Sequence, residues 1–333
     1  MKAVWYTRQG PAHEVLQFGD QPEPHAGAGE VRVKLCASGI NPADVYRRAG
    51  QNSQLEAALV IPNSDGSGIV DEVGAGAPRS LLGERVWVYN GQRNGRVLGT
   101  AAEYIALDAD LVRELPQGTS FSEGACLGIP AMTAYCAVAR GGELKDRAVF
   151  ISGGAGAVGH YAVQWAKRFG ARVVTTVSSD EKAAHATAAG ADLTVNYRTE
   201  DVAAALHEFS NGRGLAHAVD LDFGANVAML VPQMAANGSI AYYATRGNLK
   251  PVFPADDFMR RNLTLYGMVL NGAPLELRRR AQNDIVHWLE EGKREGGMKH
   301  TVSAVYPLAR TADAHQAVEA GGKRGTVVVD CSS

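Results

Sequence analysis

Cysteine is scarce in this chain, and the few cysteines show no pairing pattern. The 333 residues include four cysteines, and none of them form a C-x-x-C pair. A disulfide framework or a structural zinc site is therefore not expected, because both depend on cysteines at characteristic spacings. The nine histidines show no ligand spacing either. The sequence predicts no bound metal.

Long apolar runs and net charge are also lacking. No stretch reaches the roughly 18 apolar residues that a membrane-spanning helix needs. The N-terminal MKAVWYTRQGPAH is interrupted by Arg8, Gly10 and Pro11, unlike a signal peptide. The formal net charge of −2 gives no electrostatic reason to expect nucleic acid or a membrane as a partner. We therefore expect a cytoplasmic protein.

The chain changes in character near residue 126. Before it, short β-like segments at 30–40, 66–76 and 84–89 are bounded by glycine, asparagine or proline. After it, CLGIPAMTAYCAVAR (126–140) is expected to form an apolar helix. Predicted helices then alternate with near-continuous apolar strands at 148–152, 172–177, 192–196, 217–221 and 239–244. Such strands suit a doubly wound parallel sheet that helices cover on both faces. NLTLYGMVL (262–270) is expected to be its last strand.

The expected fold class is α/β with two domains, which is the natural prior for 333 residues. Residues 126–270 form the doubly wound (Rossmann) domain in this interpretation. Residues 1–125 and 271–333 flank it, and the chain ends in another apolar strand, GTVVVD. We therefore expect the two flanking segments to form one discontinuous, β-rich domain.

A glycine cluster follows the first strand of the Rossmann domain, in FISGGAGAVGH (150–160). Gly154, Gly156 and Gly159 fit the G-x-G-x-x-G spacing of a dinucleotide-binding turn, between a predicted strand and a predicted helix. The first glycine allows the tight turn, and the third lets the helix pack on the strand. Gly156, followed by Ala157 and Val158, lets backbone N–H groups approach a pyrophosphate at the helix N terminus.

The end of the next strand selects between NAD and NADP. NAD enzymes carry an acidic residue there, about 20 positions after the glycine motif. This chain has Ser178 and Ser179 instead, followed by Asp180. Ser178 and Glu181 fit an S-x-x-E capping box, which makes Asp180 a first-turn residue of the next helix.

Small hydroxyls leave room for a 2′-phosphate, and Lys182 supplies a positive charge. Tyr197 and Arg198, after the third strand, are placed to close the same adenosine pocket. The predicted cofactor is NADP(H). A preference for NADH would instead make Asp180 the ribose ligand.

Two N-terminal stretches, ASGINPADVYRRAG (37–50) and NSDGSGIVDEVG (63–74), indicate which family the chain resembles. Together with the glycine turn, the chain resembles the medium-chain dehydrogenase/reductase superfamily, and within it the zinc-free quinone oxidoreductase group that includes zeta-crystallin. The likeness covers essentially the whole chain, including GIPAMTAY (128–135), NYR (196–198), VDLDFGA (219–225), ATRGN (244–248) and YPLARTADAHQAVEAGGKRGTVVV (306–329). It implies that the discontinuous domain is GroES-like and catalytic, and that two subunits join edge to edge through residues 262–270.

The resemblance also bears on metal. The zinc alcohol dehydrogenases of the superfamily carry Cys, His and Cys where this chain has Asn41, Ser64 and Ile129, and none of these three can rebuild a zinc site. Residues 87–103 also lack the cysteines of the family's structural zinc lobe. Without a Lewis acid, the expected acceptor is already electrophilic through conjugation, such as a quinone or an α,β-unsaturated carbonyl.

The site residues follow from the same resemblance. It implies Asn41 and Tyr46 at the nicotinamide and substrate pocket, with Asp44 beside them. Tyr46 could donate a hydrogen bond to a developing oxyanion or stack on the acceptor. Asp44 could support the pocket, cap a helix or act as a base. Further implied contacts with the cofactor are Thr133, Ala244, Leu270 and Arg324, the last to the adenosine phosphate.

The expected activity is NADPH-dependent hydride transfer to a quinone. Two alternatives remain open: a reductase of α,β-unsaturated carbonyls, and a largely non-catalytic, crystallin-like NADPH-binding protein. Quinone reductases of this group usually have a second tyrosine two residues after the position of Gly50, where this chain has Asn52. That difference removes an aromatic wall or proton donor and leaves the acceptor open.

Overall fold

The computed structural model describes residues 1–51, 53–55, 57–93, 95–292 and 297–332, so the difference at Asn52 lies outside the described residues. The strands are β1 (Lys2–Trp5), β2 (Gln17–Asp20), β3 (Glu30–Ile40), β4 (Asp65–Val73), β5 (Arg85–Val88), β6 (Tyr104–Asp108), β7 (Val112–Glu114), β8 (Ala148–Ile151), β9 (Arg172–Val177), β10 (Leu193–Asn196), β11 (Leu215–Asp220), β12 (Met234–Tyr242), β13 (Thr264–Gly267), β14 (Val302–Pro307) and β15 (Thr326–Asp330). The α-helices are α1 (Ala12–Val15), α2 (Pro42–Ala49), α3 (Phe121–Gly124), α4 (Met132–Val138), α5 (Ala157–Arg168), α6 (Asp180–Ala188), α7 (Val202–Phe209), α8 (Phe223–Leu230), α9 (Ala255–Arg260), α10 (Leu275–Glu290) and α11 (Thr311–Glu319).

The chain divides into two compact units. Residues 131–281 form one of them, which we call the parallel-sheet unit. Residues 1–130 and 282–333 form the other, which we call the strand-rich unit. None of the described helices has the length and apolar character required to cross a lipid bilayer.

The parallel-sheet unit contains a six-stranded sheet in the order β10-β9-β8-β11-β12-β13. Every neighbouring pair of strands is parallel. All four residues of β8 are buried, as their unbroken apolar sequence predicts. The strand order reverses between β8 and β11, and in such sheets ligands bind beyond the carboxyl ends of the strands at that reversal. The predicted doubly wound sheet is confirmed.

The strand-rich unit is built around β3, the longest strand. Its sheet runs in the order β14-β15-β3-β4-β5-β7, and β6 also pairs with β3. β15 pairs with β3 in antiparallel register from Val327 opposite Ile40 to Asp330 opposite Ala37. The C-terminal strand therefore completes a sheet that the N-terminal segment begins, which confirms the expected discontinuous, β-rich fold.

Two predicted elements differ from the structure. The expected strand 262–270 is only β13, and Leu270 begins a short 3-10 turn, Leu270–Gly272. The expected apolar helix after residue 126 is regular only in α4. Gly128 has non-helical angles (φ −41°, ψ −107°), and Pro130 cannot donate the hydrogen bond that an α-helix needs. Apolar composition identified both segments but not their ends.

Candidate functional site

The glycine turn lies at the carboxyl edge of the parallel sheet, between β8 and α5. Gly153 adopts a φ of +68°, in the left-handed region that favours glycine. The Gly153 N–H donates to Thr176 Oγ1 at 3.0 Å, and the Gly154 N–H donates to Thr175 Oγ1 at 2.9 Å. Two hydroxyls of β9 therefore fix the turn against the neighbouring strand.

The three motif glycines meet different surroundings. A Cβ atom at Gly154 would lie 2.3 Å from Thr175 Oγ1, and one at Gly159 would lie 2.1 Å from the Gly153 carbonyl oxygen. A Cβ at Gly156 would approach the Gly153 oxygen only to 3.3 Å, with no other described atom within 4 Å. Packing therefore requires glycine at the first and third positions, whereas the backbone at the second position is open to a ligand.

The N terminus of α5 fits an anionic group. Gly156 is the N-cap residue and has no side chain to accept from the first N–H groups. Within α5, which the structure describes in full, the first turn contains Ala157 and Val158 and no acidic residue. Uncapped N–H groups at the positive end of a helix dipole form a natural phosphate site. This turn therefore fits the pyrophosphate of a dinucleotide.

A second polar group lies at the end of β9. Lys182 Nζ donates to Ser178 Oγ at 3.0 Å, which leaves the Ser178 hydroxyl proton available to an acceptor. Ser179 is the N-cap of α6, and its hydroxyl accepts from the Lys182 backbone N–H at 3.4 Å. An ammonium and a hydroxyl proton there suit a phosphate.

The predicted capping box of Ser178 and Glu181 is wrong. The helix begins one residue later than that pattern requires, so the residue three positions after the cap is Lys182. Asp180 is nevertheless an exposed first-turn residue of α6, as expected. The shift leaves Ser178 outside the cap and free to take part in the polar group with Lys182.

Tyr197 lies beside the same end of β9. Its backbone N–H donates to the Val177 carbonyl oxygen at 3.1 Å, and its side chain is 55% exposed. An exposed aromatic ring beside a phosphate-binding group can stack on a purine. The glycine turn, Ser178, Lys182 and Tyr197 therefore form one candidate dinucleotide surface at the carboxyl edge of the sheet.

The remaining predicted cofactor residues are more dispersed. Ala244 lines a cavity of about 280 Å³ between the ends of β12 and β13, together with Tyr242, Thr245 and Met268. Leu270 and Thr133 are buried in the parallel-sheet unit. Arg324 is exposed between α11 and β15, in the strand-rich unit.

The strand-rich unit holds a buried polar cluster at the start of α2, formed by Asn41, Asp44, Ser64, Asp65 and Arg93. Asp44 Oδ2 accepts from the Asn41 backbone N–H at 2.9 Å, as half of a capping box. Its Oδ1 accepts from Ser64 Oγ at 2.6 Å and from Arg93 Nη2 at 2.9 Å. Both carboxylate oxygens of Asp44 are therefore engaged, which favours a supporting role over that of a base.

Asp65 was not identified from the sequence as a site residue. Its Oδ2 accepts from Asn41 Nδ2 at 2.6 Å and from the Ile129 backbone N–H at 2.8 Å. Burial, together with the nearby Asp44 charge, raises the pKa of Asp65 to about 8. The available signal was a carboxylate at the start of an apolar strand, directly after Ser64.

This cluster brings together the three positions where the zinc enzymes carry their ligands, which are Asn41, Ser64 and Ile129. Asn41 and Ile129 donate to one oxygen of Asp65, and Ser64 donates to Asp44. A zinc site needs thiolate, imidazole or carboxylate electron pairs at these points, so the residues present do not fit the metal. Among the described residues, no group of three or more His, Cys, Asp or Glu side chains is arranged to hold a metal ion.

Tyr46 lies two residues after Asp44 on α2 and is half-buried. The same helix is anchored by Arg48, whose fully buried guanidinium binds the Glu319 carboxylate and the Gly10 carbonyl oxygen. The cluster fixes the N terminus of α2 and Arg48 fixes its last turn. The helix is thus a rigid support for the Tyr46 side chain.

A glycine turn at the switch point of a parallel sheet, joined to a discontinuous strand-rich unit, defines a nucleotide-dependent dehydrogenase or reductase architecture. Comparison with known families agrees. Residues 27–117 match the alcohol dehydrogenase GroES-like domain, and residues 157–291 match the zinc-binding dehydrogenase family.

Individual relatives resemble the chain over different lengths. Quinone oxidoreductase of Pongo abelii is 27% identical over 332 residues, covering 99% of this chain and 97% of the relative. 2-Methylene-furan-3-one reductase of Solanum lycopersicum is 32% identical over 206 residues, covering 60% and 53%. A solved mycobacterial structure complexed with NADPH has a TM-score of 0.84 at 28% identity, covering 99% of both chains.

The chain belongs to the medium-chain dehydrogenase/reductase superfamily, in its quinone oxidoreductase group. It is an oxidoreductase of that family. The GroES-like and Rossmann parts expected from the sequence correspond to the strand-rich and parallel-sheet units.

Proposed function

We propose that this protein is an NADPH-dependent oxidoreductase that reduces a quinone without a metal ion. The observation that carries the proposal is the Ser178–Lys182 pair at the end of β9, where NAD enzymes carry an acid. When bound, NADPH supplies the hydride. The residues of the chain bind the cofactor, orient the acceptor and polarise its oxygen.

The parallel-sheet unit holds the cofactor in this proposal. The open backbone at Gly156 and the first N–H groups of α5 bind the pyrophosphate. Lys182 and the hydroxyls of Ser178 and Ser179 bind the 2′-phosphate, and Tyr197 covers the adenine. In this proposal Thr133, Ala244 and Leu270 contact the nicotinamide side of the cofactor. Arg324 places a positive charge at the adenosine phosphate.

The strand-rich unit supplies the acceptor pocket. Asn41 orients the reactants, Asp44 supports Asn41, and Tyr46 donates its hydroxyl proton to the developing oxyanion or stacks on the acceptor ring. The three zinc-ligand positions are occupied by two hydrogen-bond donors and an isoleucine. An acceptor that conjugation has already activated needs no Lewis acid, and the likeness to a mammalian quinone oxidoreductase supports a quinone.

A reductase of α,β-unsaturated carbonyls is the second candidate. The resemblance to the tomato 2-methylene-furan-3-one reductase favours it, and Tyr46 is then the proton donor to carbon. The NADPH-consumption test described next also separates both candidates from a third outcome, an NADPH-binding protein without turnover.

The test is NADPH consumption with 1,4-benzoquinone, 9,10-phenanthrenequinone and crotonaldehyde, each with and without EDTA. We expect rapid, EDTA-insensitive turnover of the quinones and a loss of about 10-fold or more in kcat for Tyr46→Phe. The matched control is Tyr104→Phe, a half-buried tyrosine on β6. Turnover confined to crotonaldehyde supports the second candidate, and binding without turnover contradicts both enzymatic proposals.

We also propose a homodimer through β13. This strand is the last of the sheet and pairs only with β12 among the described residues, so its outer backbone edge is available to a second copy. Leu265→Lys and Val269→Lys should each give monomers by light scattering. Leu193→Lys on β10, the opposite edge, is the control. An unchanged mass in both β13-side variants contradicts this interface.

A further inference from the structure

The buried cluster contains two carboxyl groups and one cation. Asp44 and Asp65 are each 1% exposed. Arg93 faces both of them, but its hydrogen bond and ion pair go to Asp44 at 2.9 Å. One ion pair therefore neutralises Asp44 and leaves no positive charge dedicated to Asp65.

The other titratable groups around the cluster do not change this balance. His315 on α11 faces Asp44, but burial and the neighbouring Arg48 charge lower its pKa to about 3, so its ring is neutral. Arg48 pairs with Glu319. Cys126 also faces Asp65, and burial raises the pKa of its thiol to about 12. No further cation is thus available to an ionised Asp65 from these elements.

The contacts of Asp65 are unequal at its two oxygens. Oδ2 accepts two hydrogen bonds, from Asn41 and from Ile129. Oδ1 is buried and has no hydrogen-bond partner among the described residues. It lies against Gly128, where a Cβ atom would come within 2.1 Å of it. A charged oxygen without solvent or donors is strongly disfavoured, whereas the hydroxyl oxygen of a carboxylic acid is tolerated at lower cost.

We propose that Asp65 is a positioning residue that works as an uncharged carboxylic acid. It holds the Asn41 carboxamide, at the start of α2, and the Ile129 backbone N–H through one of its oxygens. One oxygen acts as the carbonyl that accepts both donors, and the other carries the proton. This inference rests on the proposed function only in giving Asn41 a role at the acceptor pocket. The raised pKa of Asp65, about 8, agrees with the charge balance.

The protonation state is tested without any turnover. In infrared spectra at neutral pH, the wild-type protein should show protonated carboxylic acid absorbance that Asp65→Asn reduces. Asp220, a buried acid of the parallel-sheet unit whose pKa burial also raises, remains in both proteins, so the difference spectrum isolates Asp65. Asp256→Asn, an exposed aspartate on α9, is the control and should leave the band unchanged. A difference spectrum between wild type and Asp65→Asn that lacks a protonated carboxylic acid band overturns the proposal.

The pH dependence of unfolding gives a second test. A carboxyl whose folded pKa is about 8, against an ordinary value of 3.8, keeps its proton when folded and loses it when unfolded across that interval. Stability should therefore fall with rising pH between these values and level off above about pH 8. In Asp65→Asn this component of the slope should disappear. Identical slopes in the two proteins contradict an uncharged Asp65.

The positioning role is tested by comparing two substitutions. An asparagine oxygen can accept from both Asn41 and Ile129, whereas Asp65→Ala leaves both donors without an acceptor. We expect Asp65→Ala to lower kcat with quinone at least 10-fold while the Kd for NADPH changes less than threefold, and Asp65→Asn to recover most of that loss. Equal impairment of both variants overturns the positioning role. If wild-type protein turns over no quinone, the proposed function fails while the infrared and stability tests still decide the state of Asp65.

Discussion

The two candidate sites differ in how their polar groups are satisfied. At the glycine turn, the first N–H groups of α5 have no capping side chain, and Ser178 keeps a hydroxyl proton to donate. In the buried cluster, Asp44 uses both oxygens on protein donors, and Asn41 donates to Asp65. The first site is built to be completed by a ligand, whereas the second is largely complete within the protein. Substitutions of the ligand-facing groups at the first site should therefore weaken binding, whereas substitutions in the buried cluster should lower stability.

The largest effect on stability is expected at Arg93. Arg93→Ala leaves Asp44 as a buried charge without its cation, and breaking a buried pair in this way costs about 3–5 kcal/mol. Urea denaturation measures the loss. Arg260→Ala, which removes an exposed pair with Asp256 on α9, is the control and should change the midpoint little. Similar effects of the two substitutions would remove the distinction between the cluster and the surface.

The glycine turn should separate packing from binding. Gly159→Ala places a methyl group 2.1 Å from the Gly153 oxygen and should cost about 1–3 kcal/mol of stability. Gly156→Ala meets that oxygen only at 3.3 Å, so its melting temperature should stay near wild type. Its affinity for NADPH should nevertheless fall about 10-fold or more, because the methyl group occupies the ligand's approach. Calorimetry and NADPH titration compare the variants, and unchanged affinity in Gly156→Ala would contradict an open turn.

Lys182 should affect only the phosphorylated cofactor. Lys182→Ala removes the ammonium beside Ser178 and should weaken NADPH binding by about 10-fold, or ~1.4 kcal/mol, while NADH binding is unchanged. Fluorescence titration with both cofactors gives the comparison. Lys167→Ala, which breaks the ion pair with Asp192, is the matched control. Equal losses for NADPH and NADH would show that Lys182 does not contact a 2′-phosphate.

The smallest effects should distinguish neighbouring serines. Ser179→Ala removes the N-cap of α6 and should cost about 1 kcal/mol of stability. Ser178→Ala lies outside the cap, so it should lower NADPH affinity with a smaller change in stability. Thermal melts and NADPH titrations compare the two variants. If Ser178 were the true cap, Ser178→Ala would lose more stability than Ser179→Ala.

The sequence predicted the parallel-sheet unit better than the buried cluster, for a physical reason. Strand and helix periodicity and the glycine spacing are local, so β8, β9 and β10 were placed within about a residue of their observed ends. Asp65 and Arg93 lie far along the chain from Asn41, and only the folded sheet brings them together. A buried charge pair leaves no periodic trace in the sequence.

Element ends were less predictable because neighbouring contacts decide them. The cap of α6 moved from Ser178 to Ser179, although both residues suit the position. β13 stops at Gly267 because its ladder with β12 ends there, although the apolar sequence continues to Leu270. These differences span one to three residues, and the first decides which serine caps α6.

The most direct test of the account is the ratio of kcat/KM for NADPH to that for NADH, with 1,4-benzoquinone as acceptor and EDTA present. The account predicts a ratio of at least about 10, from one charge-assisted contact with the 2′-phosphate, and predicts that the ratio falls toward one in Lys182→Ala. A preference for NADH in the wild-type protein would contradict it. Asp180 would then be the ribose ligand.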